Sequence, residues 1–231
     1  MIQVTNLKKN YNGVQVLNID ILEIPKGQSF GLVGNNGAGK TTFFSLLLDL
    51  IKPTEGIITT NNIQISSSEA WKPFTSSFID ESFLIGYLTP EEYFYFIGEL
   101  RGWNKADVDA FLINFESFFN DEILQKKKYL RDLSKGNAKK VGIIGALIGN
   151  PEVIILDEPF ANLDPTTQIR LKNIIKTLAE DTNVTVLVSS HDLQHTVEVS
   201  DRIVVLEKGN IVKDLIPSAE TLKELQTFFS A

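Results

Sequence analysis

The chain has 231 residues and a net charge of −7, with 43% hydrophobic residues, enough for the core of one globular domain. The acidic balance argues against a nucleic-acid surface, and the lack of cysteine excludes disulfides and thiol chemistry and fits a cytosolic setting. No stretch reaches the ~18 consecutive apolar residues of a membrane span, and the first residues lack the apolar core of a signal peptide.

In chain order, Ile2-Gln3-Val4 and residues 14–24 alternate in part and predict two strands, the second stopped by the turn Pro25-Lys26-Gly27. Between them, Lys9-Asn10-Tyr11-Asn12-Gly13 reads as a polar loop, in which Tyr11 is either rim packing or a flat platform for a nucleobase. Residues 29–33 read as a short buried strand. It runs into Gly34-Asn35-Asn36-Gly37-Ala38-Gly39-Lys40-Thr41-Thr42, which fits the phosphate-loop pattern G-x-x-x-x-G-K-[ST]. An apolar-faced helix follows, with its end expected near Ile51. In such a loop the glycines let backbone N–H groups converge on an anion, and the helix N-terminus adds partial positive charge. Lys40 then reaches the terminal phosphates, and the Thr41 hydroxyl holds Mg²⁺. The turn Lys52-Pro53-Thr54-Glu55-Gly56 leads to a strand over 57–60, and residues 63–71 are polar and weakly patterned. Phe78-Ile79 reads as a short strand running into Asp80 and Glu81.

Over residues 83–130 the pattern is helical, without a convincing strand. Thr89-Pro90-Glu91-Glu92 is a helix start. Asn104 caps a further helix expected to carry Val108, Phe111, Leu112, Phe115, Phe118 and Phe119. This predicts a helical subdomain inserted into an α/β core, its aromatic stripe being either core or a groove for a partner. Leu133-Ser134-Lys135-Gly136-Asn137 precedes a helix running through Val141, Ile144, Leu147 and Ile148. Val153-Ile154-Ile155-Leu156 is a buried strand ending in Asp157 and Glu158. A helix opens at Pro165, a strand covers 184–188 and runs into Ser189-Ser190-His191-Asp192, a hairpin turns at Lys208-Gly209-Asn210, and a last helix covers about 219–229.

Four apolar strands thus run directly into polar residues, at Val33, Ile79, Leu156 and Val188. In an open parallel sheet, ligands sit at the carboxyl ends of the strands. Those exits would gather the phosphate loop, Asp80, Asp157, Glu158 and His191 round one nucleotide. Asp157 suits Mg²⁺. Glu158, one step further out, suits a base for an attacking water. The alternative for the acid pair is helix capping or solvated charge. His191 is either a γ-phosphate contact or a packed or capping residue, and His191 and His195, as the only histidines, make a weak zinc site.

Taken together, residues 34–42, 133–137, 153–158, Ala161-Asn162-Leu163-Asp164 and His191 resemble, in order and spacing, the ATP-binding-cassette (ABC) ATPases: Walker A, signature, Walker B, D-loop and H-loop. The resemblance covers nearly the whole chain. It implies one ABC ATPase domain over 1–231, an α/β P-loop ATPase core with a mostly parallel sheet, an N-terminal antiparallel β subdomain and the helical insertion at about 83–130. It implies ATP and Mg²⁺ as ligands, with Lys40, Glu158 and His191 catalytic and Thr41, Asp157 and Asp80 at the metal. Tyr11 would stack on adenine. A second cassette, most simply another copy, would dock head-to-tail and contribute Ser134 and Gly136 to the γ-phosphate. The partner of the helical insertion would be an integral membrane permease, placing the chain in the cytoplasm at the inner face of the membrane, without itself entering it.

Two departures stand out. The signature is Leu-Ser-Lys-Gly-Asn where the family usually has Leu-Ser-Gly-Gly-Gln, and Asp80 stands where the family usually has the glutamine that contacts Mg²⁺ and water. Competing readings are a soluble ABC-type mechanochemical ATPase, a binding-only cassette, which Glu158 argues against, and a GTPase reading guanine through Asn104-Lys105-Ala106-Asp107. No apolar strand precedes that last motif and no D-x-x-G occurs in the chain, so it is taken as a helix cap.

Overall fold

A computed structural model describes residues 1–230. Ten strands form one sheet in the order β5-β4-β1-β2-β10-β9-β3-β8-β7-β6. In chain order they are β1 (Ile2–Tyr11), β2 (Val14–Ile24), β3 (Ser29–Val33), β4 (Glu55–Thr60), β5 (Ile63–Gln64), β6 (Thr75–Phe78), β7 (Val153–Leu156), β8 (Thr185–Ser190), β9 (Arg202–Glu207) and β10 (Asn210–Leu215). From β9 to β6 every neighbouring pair is parallel. At the other end β1, β2, β4 and β5 pair antiparallel. The two halves meet where β10 pairs β2 at Asn210 and Asn18.

The helices are α1 (Lys40–Leu47), α2 (Pro90–Leu100), α3 (Lys105–Ile113), α4 (Glu116–Phe119), α5 (Lys135–Gly145), α6 (Pro165–Glu180), α7 (Leu193–Val199) and α8 (Thr221–Ser230). They cover both faces of the parallel strands, which is why those strands read as unbroken apolar runs. Along β7, Ile154 and Leu156 join a core with Val141, Ile144, Leu171 and Phe94. Val153 and Ile155 point the other way, to Phe43, Phe44 and Leu47 of α1. Between β6 and α5 the described residues hold α2, α3 and α4 but no strand. Phe94, Phe118 and Phe119 from this stretch are 0–1% exposed and belong to the same core as β7 and β8, so these rings are core rather than groove.

Several local expectations need correction. Tyr11 is not in a loop: β1 runs through Lys9 and Asn10 to pair Tyr11 with Val14. The turn is only Asn12-Gly13, at φ +49° and +81°, the left-handed pair that a two-residue hairpin demands. Helix α1 stops at Leu47, not near Ile51, because Asp49 turns left-handed at φ +54°. The helix expected across 105–119 is two, broken at Asn114, whose side chain donates to the Phe111 carbonyl at 3.1 Å and competes with the helical bond. Helix α5 ends at Gly145, with Leu147 and Ile148 in the turn beyond. Ile79 lies past the end of β6. Within the weakly patterned stretch, Ile65 and Trp71 are buried and joined by an indole hydrogen bond to the Ile65 carbonyl at 3.2 Å. The cap reading of Asn104 holds: its side chain accepts from the Ala106 and Asp107 amides, and Asp107 accepts from the Asn104 amide.

One side chain ties α2 to the sheet. Arg101, just past the end of α2, donates to the carbonyls of Lys72 (3.0 Å), Pro73 (2.6 Å) and Thr75 (2.7 Å) at the entry to β6. Replacing Arg101 with alanine leaves three carbonyls without this charged donor, and should lower stability by about 2–3 kcal/mol. A urea midpoint shift at unchanged m-value measures it; lysine, with one ammonium in place of the fork, should recover less than half.

Candidate active site

The loop between β3 and α1 is shaped at its first glycine by a contact that leaves no room for a side chain. A Cβ on Gly34 would lie 2.4 Å from the Leu206 carbonyl. Gly39, before the first residue of α1, sits at φ +107° with no side-chain cap on the helix, so the first-turn N–H groups of α1 face the loop. The loop is held from outside by the turn between β9 and β10: the Gly209 amide donates to the Ala38 carbonyl at 2.9 Å. Lys40 is 6% exposed. Its three ammonium donors reach the carbonyls of Gly34 (2.7 Å) and Asn35 (3.4 Å) and Glu158 Oε1 (3.3 Å).

Parallel pairing of β7 with β8 sets Leu156 opposite Val188, so Asp157, the first residue past β7, comes beside Ser189, which is still in β8: that strand runs two residues beyond its expected end at 188 and pairs Ser189 with Leu32 of β3. Ser189 Oγ donates to Asp157 Oδ1 and accepts from the Glu158 amide at 3.0 Å. The Thr41 hydroxyl donates to Asp157 Oδ2 at 2.5 Å. Burial pushes the Asp157 carboxyl up, while the Ser189 and Thr41 hydroxyls hold it down. Glu158 occupies the left-handed region at φ +46°, which costs a non-glycine residue roughly 1–2 kcal/mol. That conformation turns its carboxylate between two partners: Oε1 toward Lys40, and Oε2 toward His191 Nδ1 at 2.8 Å. The His191 amide donates to the same oxygen at 3.3 Å.

Lys40, Thr41, Asp157, Glu158 and His191 are therefore assembled at one place. Asp80 is placed differently: Oδ1 accepts from the Ser82 amide at 2.8 Å and caps a single turn. Hydrogen bonds from Ser82 hold its carboxyl below the ordinary carboxylate range, with the Lys139 charge adding. Ser134 caps α5 by accepting from the Asn137 amide at 3.2 Å, and a Cβ on Gly136 would lie 2.9 Å from the Asn162 carbonyl. Neither forms a hydrogen bond to the phosphate loop among the described residues. Tyr11 is 45% exposed at the hairpin end, with the Lys9 ammonium 4.7 Å from its ring centroid. Among the described residues no group of three or more metal-binding side chains could hold an ion unaided. The Thr41 hydroxyl and Asp157 carboxylate do offer the hard oxygens that Mg²⁺ takes when phosphates and waters complete its shell, so the residues fit that ion.

Two participants escaped the sequence reading. Ser189 was visible only as one of two serines after a strand. Lys139, whose ammonium donates to the Glu158 carbonyl at 2.9 Å, had no signal beyond a charge in an otherwise buried helix.

Residues 17–161 match the ABC transporter family. The chain belongs to that family. It is 33% identical to the ABC transporter ATP-binding protein YhaQ of Bacillus subtilis, over 92% of this chain and 70% of the relative. It is 32% identical to the bacitracin transport ATP-binding protein BcrA of Enterococcus faecalis, over 93% and 69%. Among solved structures it superposes with a TM-score of 0.82 on an ATP-binding subunit of an ABC transporter, at 24% identity, over 100% of this chain and 95% of the other. The same score relates it to the dimeric cassette MJ0796 bound to ADP and phosphate, at 22% identity, over 95% and 100%. The chain is thus an ABC nucleotide-binding subunit, an ATPase with the P-loop α/β fold.

Since Ser189 supports both acids of this cassette, Ser189→Ala should lower stability by about 1–3 kcal/mol, the cost of leaving the Glu158 amide and Asp157 Oδ1 unpaired. Denaturant unfolding checks this. A loss under about 0.5 kcal/mol, the range of ordinary surface changes, would mean that the hydroxyl carries no such role.

Proposed function

We propose that this cassette, acting as one domain over 1–231 with its helical part at about 83–130, hydrolyses Mg²⁺-ATP to drive transport through a separate membrane permease. The observation that carries the proposal is the convergence of Thr41 and Asp157 at 2.5 Å with Lys40 and Glu158 at 3.3 Å on one phosphate loop. The amides of Asn35, Asn36, Gly37, Ala38, Gly39 and Thr42 surround the phosphates. Lys40 exchanges its contact with Glu158 for the β- and γ-phosphates, which frees Glu158 to take a proton from water. His191 Nδ1 fixes the Glu158 carboxylate and leaves Nε2 for the γ-phosphate. Thr41 and Asp157 would hold Mg²⁺, with Asp80 proposed as a further contact to it; the ion would supply charge neutralisation of the phosphates. Tyr11 stacks on adenine on the ring face away from Lys9.

The bacitracin-transport relative supports coupling to a permease, and the dimeric neighbour supports a second copy. In a head-to-tail pair, Ser134 and Gly136 of one copy meet the γ-phosphate held by the other. No helix among the described residues is long and apolar enough to cross a membrane. The helical part, with Phe83 and Leu100 more than half exposed, would meet the permease at the cytoplasmic face.

Glu158 is assigned as base over Asp80 because its carboxylate already faces Lys40 and His191, whereas Asp80 is engaged in its own turn. General-base help is worth ~10²–10⁴ in rate. Glu158→Gln should therefore cut turnover by at least ~10²-fold, retain ATP and accumulate dimer in size-exclusion chromatography. Asp80→Asn should lose far less. Near-normal turnover of the first variant beside a dead second one would reverse the assignment.

The composite site makes a separate demand. Turnover per chain should fall as the protein is diluted below its dimerisation range in saturating Mg²⁺-ATP, and constant turnover on dilution would defeat the second-copy contribution. Dilution is a cleaner test than Gly136→Asp, whose Cβ would also press on Asn162 of its own chain.

A further inference from the structure

Lys139 lies on α5, five residues after Ser134, with its side chain 6% exposed. Its ammonium contacts two different segments. It donates to the backbone carbonyl of Glu158 at 2.9 Å, and it lies 3.6 Å from Glu81 Oε1. That oxygen is buried and has no hydrogen-bond partner, so the nearby ammonium is what offsets its burial. Apart from Lys139, the Glu158 carbonyl accepts, among the described residues, only a long bond from the Ala161 amide at 3.3 Å. The residue it belongs to is the one held left-handed at φ +46°. One buried charge therefore joins the signature helix, the turn that aims the Glu158 carboxylate, and the exit from β6 at Asp80-Glu81, where the chain departs for the helical part.

We propose that Lys139 is a positioning residue for hydrolysis: it fixes the Glu158 turn from its carbonyl side and transmits shifts of α5 and of the Glu81 turn to the Glu158 carboxylate. The inference rests on Glu158 being the base. It differs from ordinary structural support in one respect. Ser189 holds the amide side of the same residue from a strand of the rigid sheet, while Lys139 holds the carbonyl side from elements that border the helical part. The peptide planes on either side of Glu158 are thus tied to different parts of the fold, and the angle of its side chain depends on both.

The test measures kcat, KM for Mg²⁺-ATP and melting temperature for the wild type, Lys139→Met, Lys139→Gln and the double variant Glu81→Gln/Lys139→Met. Methionine removes the donor and leaves Glu81 unpaired, so both kcat, by about tenfold, and melting temperature should fall, with KM within about twofold. Glutamine keeps a neutral donor and should give an intermediate kcat. The double variant removes the unpaired carboxylate as well. It should recover melting temperature while kcat stays low, a split that a merely structural role would not produce, and it serves if Lys139→Met does not fold. Hydrogen exchange at Ala161 should quicken in the same variants. A kcat for Lys139→Met within twofold of wild type, or a kcat that recovers along with stability in the double variant, overturns the inference while leaving the ATPase reading standing. A wild-type chain without Mg²⁺-ATP turnover would overturn both.

Discussion

Everything at the site turns on one hydroxyl. Ser189 Oγ donates to Asp157 and accepts from the Glu158 amide, so one atom sets the carboxylate beside Thr41 and the turn that presents the other acid. Its position is a consequence of sheet register. Val188 lies opposite Leu156, and both side chains face the core formed with α5 and α6. Slipping β8 by one residue would send that apolar set to the other face and carry Ser189 away with it. The packing of two apolar strands thus decides a polar contact at their carboxyl ends, and the site inherits the rigidity of the core rather than needing its own.

The phosphate loop is held in a complementary way, from the antiparallel side of the sheet. The Leu206 carbonyl fills the space next to Gly34, the Val16 carbonyl lies 3.0 Å from where a Cβ on Gly39 would stand, and the Gly209 amide bonds to Ala38. Gly209 in turn accepts from the Asn18 amide at 2.8 Å, beside the pairing of Asn210 with Asn18 that joins the two halves of the sheet. The hairpin that carries Tyr11 is therefore tied to the same loop it would serve. On the reading of Tyr11 as a platform for the base, these backbone hydrogen bonds would help to set its separation from the phosphates.

How much of this was legible in the chain follows from the range of each interaction. The phosphate loop, the strand ending in Asp157-Glu158 and the cap at Asn104 are local patterns, and each stands where its pattern placed it. Tyr11 was misplaced although Asn12-Gly13 is a strong hairpin signal, because polar Lys9 and Asn10 hid the end of a strand whose outer face meets water. Asn114 split a helix that hydrophobic spacing alone would continue. Trp71 and Ile65 were lost among serines, since their burial depends on contacts with α1 and the first strands, far away in sequence. Lys139 and Ser189 were illegible for the same reason: their partners lie 19 and 31 residues away, and no spacing rule links them.

The signature segment shows how an unusual residue can make sense only in the assembled state. Lys135 is the first residue of α5, where the helix already presents partial positive charge, and no acidic side chain stands in that first turn. A cation there is unfavourable by about 0.3–1 kcal/mol at an exposed helix start. Ser134 offsets part of the exposed N–H surface by accepting from the Asn137 amide, an arrangement that uses a lone pair of its oxygen and leaves the hydroxyl hydrogen to donate elsewhere. Gly136 lies against the Asn162 carbonyl, so the chain has no space there for a side chain that could cap the remaining donors. An isolated cassette thus carries a helix end with a surplus of positive potential and a donor hydroxyl. An anion supplied from outside would relieve both, and on the head-to-tail reading that anion is the γ-phosphate held by a second copy. On that reading, lysine in place of the family's usual glycine would add to the attraction between copies when nucleotide is bound and weaken the helix end when it is not.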